Sequence, residues 1–145
     1  MKDGHGRTID YLRISLTDRC NYRCIYCMPE EGVQSMCHTD ILRIEEIAHV
    51  VRVFSNLGIK SVRLTGGEPL VRKKDILKLA EKHNDVQFAI YTNSTLIDEA
   101  FCSEVVRLGN IAFMLSIEGT PETNDARRGE GHYAAVMNAM DLLKK

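Results

Sequence analysis

Tyr11-Leu12-Arg13-Ile14-Ser15-Leu16-Thr17-Asp18-Arg19-Cys20-Asn21-Tyr22-Arg23-Cys24-Ile25-Tyr26-Cys27-Met28-Pro29 carries two patterns in one stretch. Over residues 11–17 the apolar positions alternate, with Leu12, Ile14 and Leu16 on one face, so the spacing predicts a half-buried strand. Three of the chain's five cysteines follow at once, spaced C-x3-C-x2-C. Three thiolates so close together suit one soft metal centre. Iron–sulfur clusters are held by cysteine thiolates, usually four for a cubane. Cys20, Cys24 and Cys27 supply three, which leaves one iron open to another ligand, and Tyr26 sets an aromatic ring beside the centre. The competing reading is a structural zinc with Cys37 or His38 as fourth ligand. Zinc sites commonly come as two close pairs, which a single triplet fits poorly.

Outward from this stretch the strand-then-helix pattern repeats. Ile44, Ile47, Val50, Val51, Phe54 and Leu57 mark one helical face, closed by Gly58. A strand over 61–65 runs into Gly66-Gly67-Glu68-Pro69, and a helix is predicted over 75–83 with Asp75 as its N-cap. Val86, Phe88 and Ile90 mark a third strand ending at Tyr91-Thr92-Asn93. The third helix is capped by Asp98, with Ile97, Phe101, Val105 and Leu108 on one face, and ends at Gly109. Ile111, Phe113, Leu115 and Ile117 mark a fourth strand, ending at Ser116-Ile117-Glu118-Gly119. After a polar turn, Tyr133, Val136, Met140 and Leu143 face one way on a fourth helix. Four βα units predict an α/β fold with a parallel sheet, a barrel or part of one, with a doubly wound open sheet as the alternative. Each polar motif falls just past a strand's C-terminal end, the edge where such folds bind ligands.

A net charge of −1 excludes a general nucleic-acid or membrane surface, and no apolar run is long enough to span a bilayer. The first residues have no apolar leader pattern, so a cytoplasmic location with reduced cysteines is expected. Basic residues gather locally at Arg19 and Arg23, at Arg72, Lys73 and Lys74, and at Arg127 and Arg128. Cys37 and Cys102 read as inert.

Taken with the cysteine triplet, Gly66-Gly67-Glu68-Pro69 resembles the radical S-adenosylmethionine (SAM) superfamily. That resemblance implies a partial parallel (β/α) barrel. It also implies a 4Fe–4S cluster on Cys20, Cys24 and Cys27, and reductive cleavage of SAM to a 5′-deoxyadenosyl radical. It places SAM against Tyr26, Gly66, Gly67, Glu68, Pro69, Thr92, Asn93, Ser116, Glu118 and Arg128, with Arg127 the alternative to Arg128. An electron donor such as flavodoxin or ferredoxin goes with it. Residues 9–21, Cys27-Met28-Pro29-Glu30-Glu31-Gly32 and residues 62–72 resemble the GTP cyclases that open molybdenum cofactor synthesis. In that branch Arg19 and Arg72 are expected to hold the triphosphate of GTP. From His83 onward the chain resembles other radical SAM proteins instead, which keeps a different substrate as the second reading. The whole of 1–145 is expected to be a truncated core of this kind, and its open fourth strand is expected to invite self-association.

Overall fold

The computed structural model describes residues 2–34 and 36–144; the side chain of His38 lies outside the description, and with it the zinc alternative's use of that residue. Four parallel strands form one sheet: β1 (Tyr11–Ser15), β2 (Ser61–Thr65), β3 (Gln87–Thr92) and β4 (Ile111–Leu115), in spatial order β1-β2-β3-β4. Between and after them come α1 (Ile44–Asn56), α2 (Lys73–Lys82), α3 (Glu99–Leu108), α4 (Pro121–Arg128) and α5 (His132–Leu143). Sequential strand order decides between the two sheet architectures. A doubly wound sheet reverses direction at a switch point, whereas same-handed crossovers in unbroken order leave every helix on one side. The core confirms this arrangement: Val62, Leu64, Phe88 and Ile90 of the sheet pack with Ile47 and Val51 of α1, Ile76 and Leu79 of α2, and Phe101 and Val105 of α3. The fold is an arc of a (β/α) barrel with its helices outside.

Alternation then fixes what the other face carries. Tyr11, Arg13 and Ser15 of β1, Ser61, Arg63 and Thr65 of β2, Gln87, Ala89 and Tyr91 of β3, and Ala112 and Met114 of β4 all point away from the helices. None of these residues belongs to the buried core. Both β1 and β4 are edges. Beside β4 an apolar groove of about 790 Å³ is lined by Cys102, Val105, Ile111, Phe113, Leu142 and Leu143, among others.

Several boundaries differ from the sequence reading. The first strand stops at Ser15; Leu16 keeps the inward alternation of Leu12 and Ile14 and joins the core, and its N–H still donates to the Thr65 carbonyl. Helix α2 begins at Lys73, so Asp75 sits inside its first turn, where it pairs with Arg72 at 2.9 Å. Asp98 does cap α3, accepting from the Phe101 N–H, and Gly109 closes that helix at φ 70°. The stretch read as a polar turn contains α4. In α5 the buried positions are His132, Val136 and Ala139; of the predicted stripe Val136 is buried and Leu143 packs against the core, while His132 and Ala139 are buried in place of Tyr133 and Met140.

Candidate functional site

The loops at the C-terminal edge of the sheet meet one another, and the cysteine loop is the hub. Its stem is stitched to the turn after β2: the Gly67 N–H donates to the Thr17 carbonyl and the Glu68 N–H to the Arg19 carbonyl, both at 2.7 Å. This close approach accounts for the glycine pair. A Cβ on Gly66 would overlap the Thr17 carbonyl oxygen, and one on Gly67 would overlap that of Arg19. Gly66 also holds φ 130°, where side chains are strained. The sequence reading gave these glycines to a ligand; the structure shows them first admitting the stem of the cysteine loop.

Within the loop a tight turn follows Cys24. The Cys27 and Met28 N–H groups both donate to the Cys24 carbonyl, and the Arg23 guanidinium grips the carbonyls of Cys20 and Tyr22. Cys24 is buried, Cys20 half-buried and Cys27 exposed, and all three are free thiols. Burial pushes the Cys24 thiol up, with the Arg128 cation opposing the shift. Among the described residues no three His, Cys, Asp or Glu side chains converge on a single ion position. The donor set, three thiols with N–H groups directed at two of them, fits a cluster.

Glu68 is the buried anchor of the next layer. It is 1% exposed, and its carboxylate accepts from the Leu70 N–H (2.9 Å), the Thr92 hydroxyl (2.7 Å) and the Asn93 N–H (2.8 Å). Thr92 and Glu68, both expected at SAM, thus bind each other. Pro69 is buried at the start of a short 3-10 turn over Pro69–Arg72. Asn93 turns to the cysteine loop, donating to Asn21 Oδ1 at 2.9 Å.

On the far side α4 clasps the loop. The Ile25 N–H donates to the Arg127 carbonyl, and Tyr22 packs edge-on against buried His132 at 5.1 Å. Strand β4 ends at Leu115, so Ser116 and Glu118 lie beyond it; the Ser116 N–H continues the ladder to the Thr92 carbonyl. Glu118 accepts from the Tyr26 hydroxyl at 2.6 Å and pairs with Arg127 and, at 2.8 Å, with Arg128. The Tyr26 hydrogen bond, then the two guanidiniums, hold its carboxyl down to about 2. Burial and that same bond push the Tyr26 phenol well above its ordinary range. Arg128, the less exposed of the two arginines, also lies 4.0 Å from Cys24 Sγ.

Arg19 and Arg72 line one recess of about 340 Å³ together with Arg43. Arg72 is engaged there: it donates to Asp75 and to the carbonyls of Leu16 and Leu42. Two arginines that the sequence reading passed over stand out more. Arg13 and Arg63 are cross-strand partners on the open face of the sheet. Directly opposed like charges are unfavourable, and neither has a carboxylate partner among the described residues. Each lies over a tyrosine instead, Arg63 over Tyr11 at 3.8 Å and Arg13 over Tyr91 at 5.5 Å. The alternation that placed Leu12 and Ile14 on one face of β1 already put Arg13 on the other.

Residues 14–145 match the model of the radical SAM superfamily. The chain is similar to the GTP 3′,8-cyclase of Desulforamulus reducens, 47% identical over 86% of this chain and 36% of that protein. It is also similar to that of Petrotoga mobilis, 44% identical over 90% of this chain and 42% of that protein. It therefore spans about two-fifths of the length of these relatives. Among solved structures, anSMEcpe with bound AdoMet superposes with a TM-score of 0.71 at 26% identity, covering 92% of this chain and 41% of that one. Streptococcus suis SuiB bound to S-adenosylmethionine shares the fold at a TM-score of 0.70 and 19% identity, covering 94% of this chain and 30% of that one. A family match over nearly the whole chain, on the same cysteine loop and Gly-Gly turn that the fold joins, places this chain in the radical SAM superfamily.

Proposed function

We propose that this chain carries the radical SAM core of a GTP 3′,8-cyclase-like enzyme. The observation that carries the reading is the docking of the three-cysteine loop on the Gly66–Gly67 turn, beside a sheet face bearing two arginines that have no carboxylate partner among the described residues. With a 4Fe–4S cluster and SAM bound, the chemistry supplied is one-electron cleavage of SAM to methionine and a 5′-deoxyadenosyl radical. Cys20, Cys24 and Cys27 hold the cluster in this reading, and the edge formed by residues 66–69, Ser116 and α4 receives SAM. Arg128 is proposed for the SAM carboxylate; Glu118 engages its Nη2 at 2.8 Å and leaves its other N–H donors to serve. An electron donor of the flavodoxin or ferredoxin kind, a cytoplasmic location and self-association through the β4 edge belong to the same proposal. No helix among the described residues is long and apolar enough to cross a membrane.

The substrate follows from charge. Arg13 and Arg63 present two planar cations over two aromatic rings, a surface suited to a phosphorylated aromatic molecule. GTP, the substrate in the relatives' name, is such a molecule. Arg19 and Arg72 remain proposed for its phosphates, and Arg72 would have to release Asp75 and two carbonyls to serve. The test is thermal protection by GTP. The expected result is a rise in Tm with GTP that Arg63→Ala removes while leaving SAM binding unchanged. Equal protection of Arg63→Ala and the unmodified chain contradicts the assignment of the open face. Protection by a different phosphorylated substrate but not by GTP would favour the second reading.

A further inference from the structure

Asn93 stands in the sequence as a candidate SAM contact, yet its hydrogen bonds are already committed. Its Oδ1 accepts from the Thr95 N–H at 3.1 Å and from the Thr95 hydroxyl at 2.8 Å. A backbone N–H can only donate, so the orientation of the amide is fixed and its NH2 end faces the other way. There it donates to Asn21 Oδ1 at 2.9 Å and lies 3.9 Å from Cys20 Sγ. Asn21 closes a ring by donating its own amide to the Thr95 hydroxyl at 2.9 Å. The backbone of Asn93 is pinned by buried Glu68, and the residue itself is 6% exposed. Both acceptor positions and both amide hydrogens of the side chain are therefore directed at protein atoms.

We infer that Asn93 is a positioning residue for the cluster: it carries the order of the Glu68 anchor to the Cys20 corner and directs an N–H at that sulfur. The inference rests on the cluster reading above. It makes the three cysteines unequal. Cys20 receives the Tyr22 N–H at 3.4 Å as well as the Asn93 amide, and Cys24 faces the Arg128 guanidinium. No described residue donates to Cys27 Sγ, and Cys27 is exposed. Donors aimed at cluster sulfurs favour the electron-rich reduced state, and such outer partners also set how firmly the metal is held. Cys20 and Cys24 are the anchored corners, and Cys27 is the corner open to solvent.

The test uses Asn93→Asp, which keeps the acceptor for Thr95 and replaces the donor with an anion beside the sulfur. Asn21→Ala is its companion, breaking the ring at an exposed side chain and leaving β3 untouched. The full chain and both variants are reconstituted anaerobically. They are compared by EPR-monitored redox titration, by the rate of cluster loss to an iron chelator, and by the SAM concentration that half-converts the EPR spectrum. A midpoint potential lowered in Asn93→Asp is expected, with Asn21→Ala in between. Metal retention should weaken by about tenfold or more, with the SAM half-conversion point unchanged. An unchanged potential with a raised SAM half-conversion point overturns the proposal and makes Asn93 a SAM contact. If Asn93→Asp does not fold, Asn21→Ala decides by the same readouts. An unmodified chain that takes up no cluster overturns the cluster reading itself, a result that does not depend on position 93.

Discussion

Glu68 is a carboxylate with almost no access to water, and every acceptor direction it uses points at a protein donor. It joins the turn after β2 to the end of β3, and through Asn93 to the cysteine loop. Replacing one oxygen with an NH2 group sets a donor against a donor, so Glu68→Gln is expected to cost about 2 kcal/mol, the scale of a hydrogen bond to a charged group. Urea unfolding would show this as a lowered midpoint with an unchanged m value. A midpoint equal to that of the unmodified chain would mean that the carboxylate is not the anchor described. This residue also shows what sequence alone yields. That Glu68 matters was legible from its place after two glycines. That it faces inward was not, because its three donors come from residues 70, 92 and 93, and only the fold brings them together. Arg13 and Arg63 are the opposite case: period-two alternation was enough to put them on the free face, and nothing but attention to that face was lacking.

At the scale of the element, α4 explains both a miss and the geometry of Glu118. The helix, Pro-Glu-Thr-Asn-Asp-Ala-Arg-Arg, has no apolar face, and its one buried residue is Asn124. Hydrophobic periodicity therefore could not find it. Local chemistry holds it instead. Thr120 caps it ahead of Pro121, and its last turn carries two arginines that suit the helix dipole. Asn124 Oδ1 accepts from the Glu118 N–H, and Asp125 accepts from the Gly131 and Tyr133 N–H groups that open α5. The cap-then-proline pair was the available signal. By contrast α1 and α3 were legible because their stripes are apolar and their ends are glycine-closed. The clasp between α4 and the cysteine loop predicts a pH dependence. The Glu118 carboxyl is held at about 2 against an ordinary 4.5. Its contribution to stability is complete above pH 4.5 and declines as pH falls toward 2. The stability difference between the unmodified chain and Glu118→Gln should thus be larger at pH 7 than at pH 3. A difference that stays constant across that interval would show that Glu118 is not held as an ion by Tyr26 and the two arginines.

For the molecule as a whole, sequential parallel strands put α1, α2, α3 and α5 on one side and the chemistry-bearing loops at one edge. That much was legible from the recurring strand-then-helix pattern. The same pattern favoured a barrel or part of one over a doubly wound sheet, and the strand order, which long-range packing sets, bears that preference out. The edge joins three cysteines, a glycine turn that close backbone contact requires, and a cationic face without carboxylate partners among the described residues. The central claim is that these form a site where a cluster and SAM meet. It is tested most directly by anaerobic reconstitution with iron and sulfide, followed by iron analysis and EPR of the reduced chain with and without SAM. The account predicts about four irons per chain, as a cubane requires, a spectrum that shifts when SAM is added, and loss of both in Cys24→Ala. A chain that binds no cluster, or a cluster whose spectrum is indifferent to SAM, would contradict it.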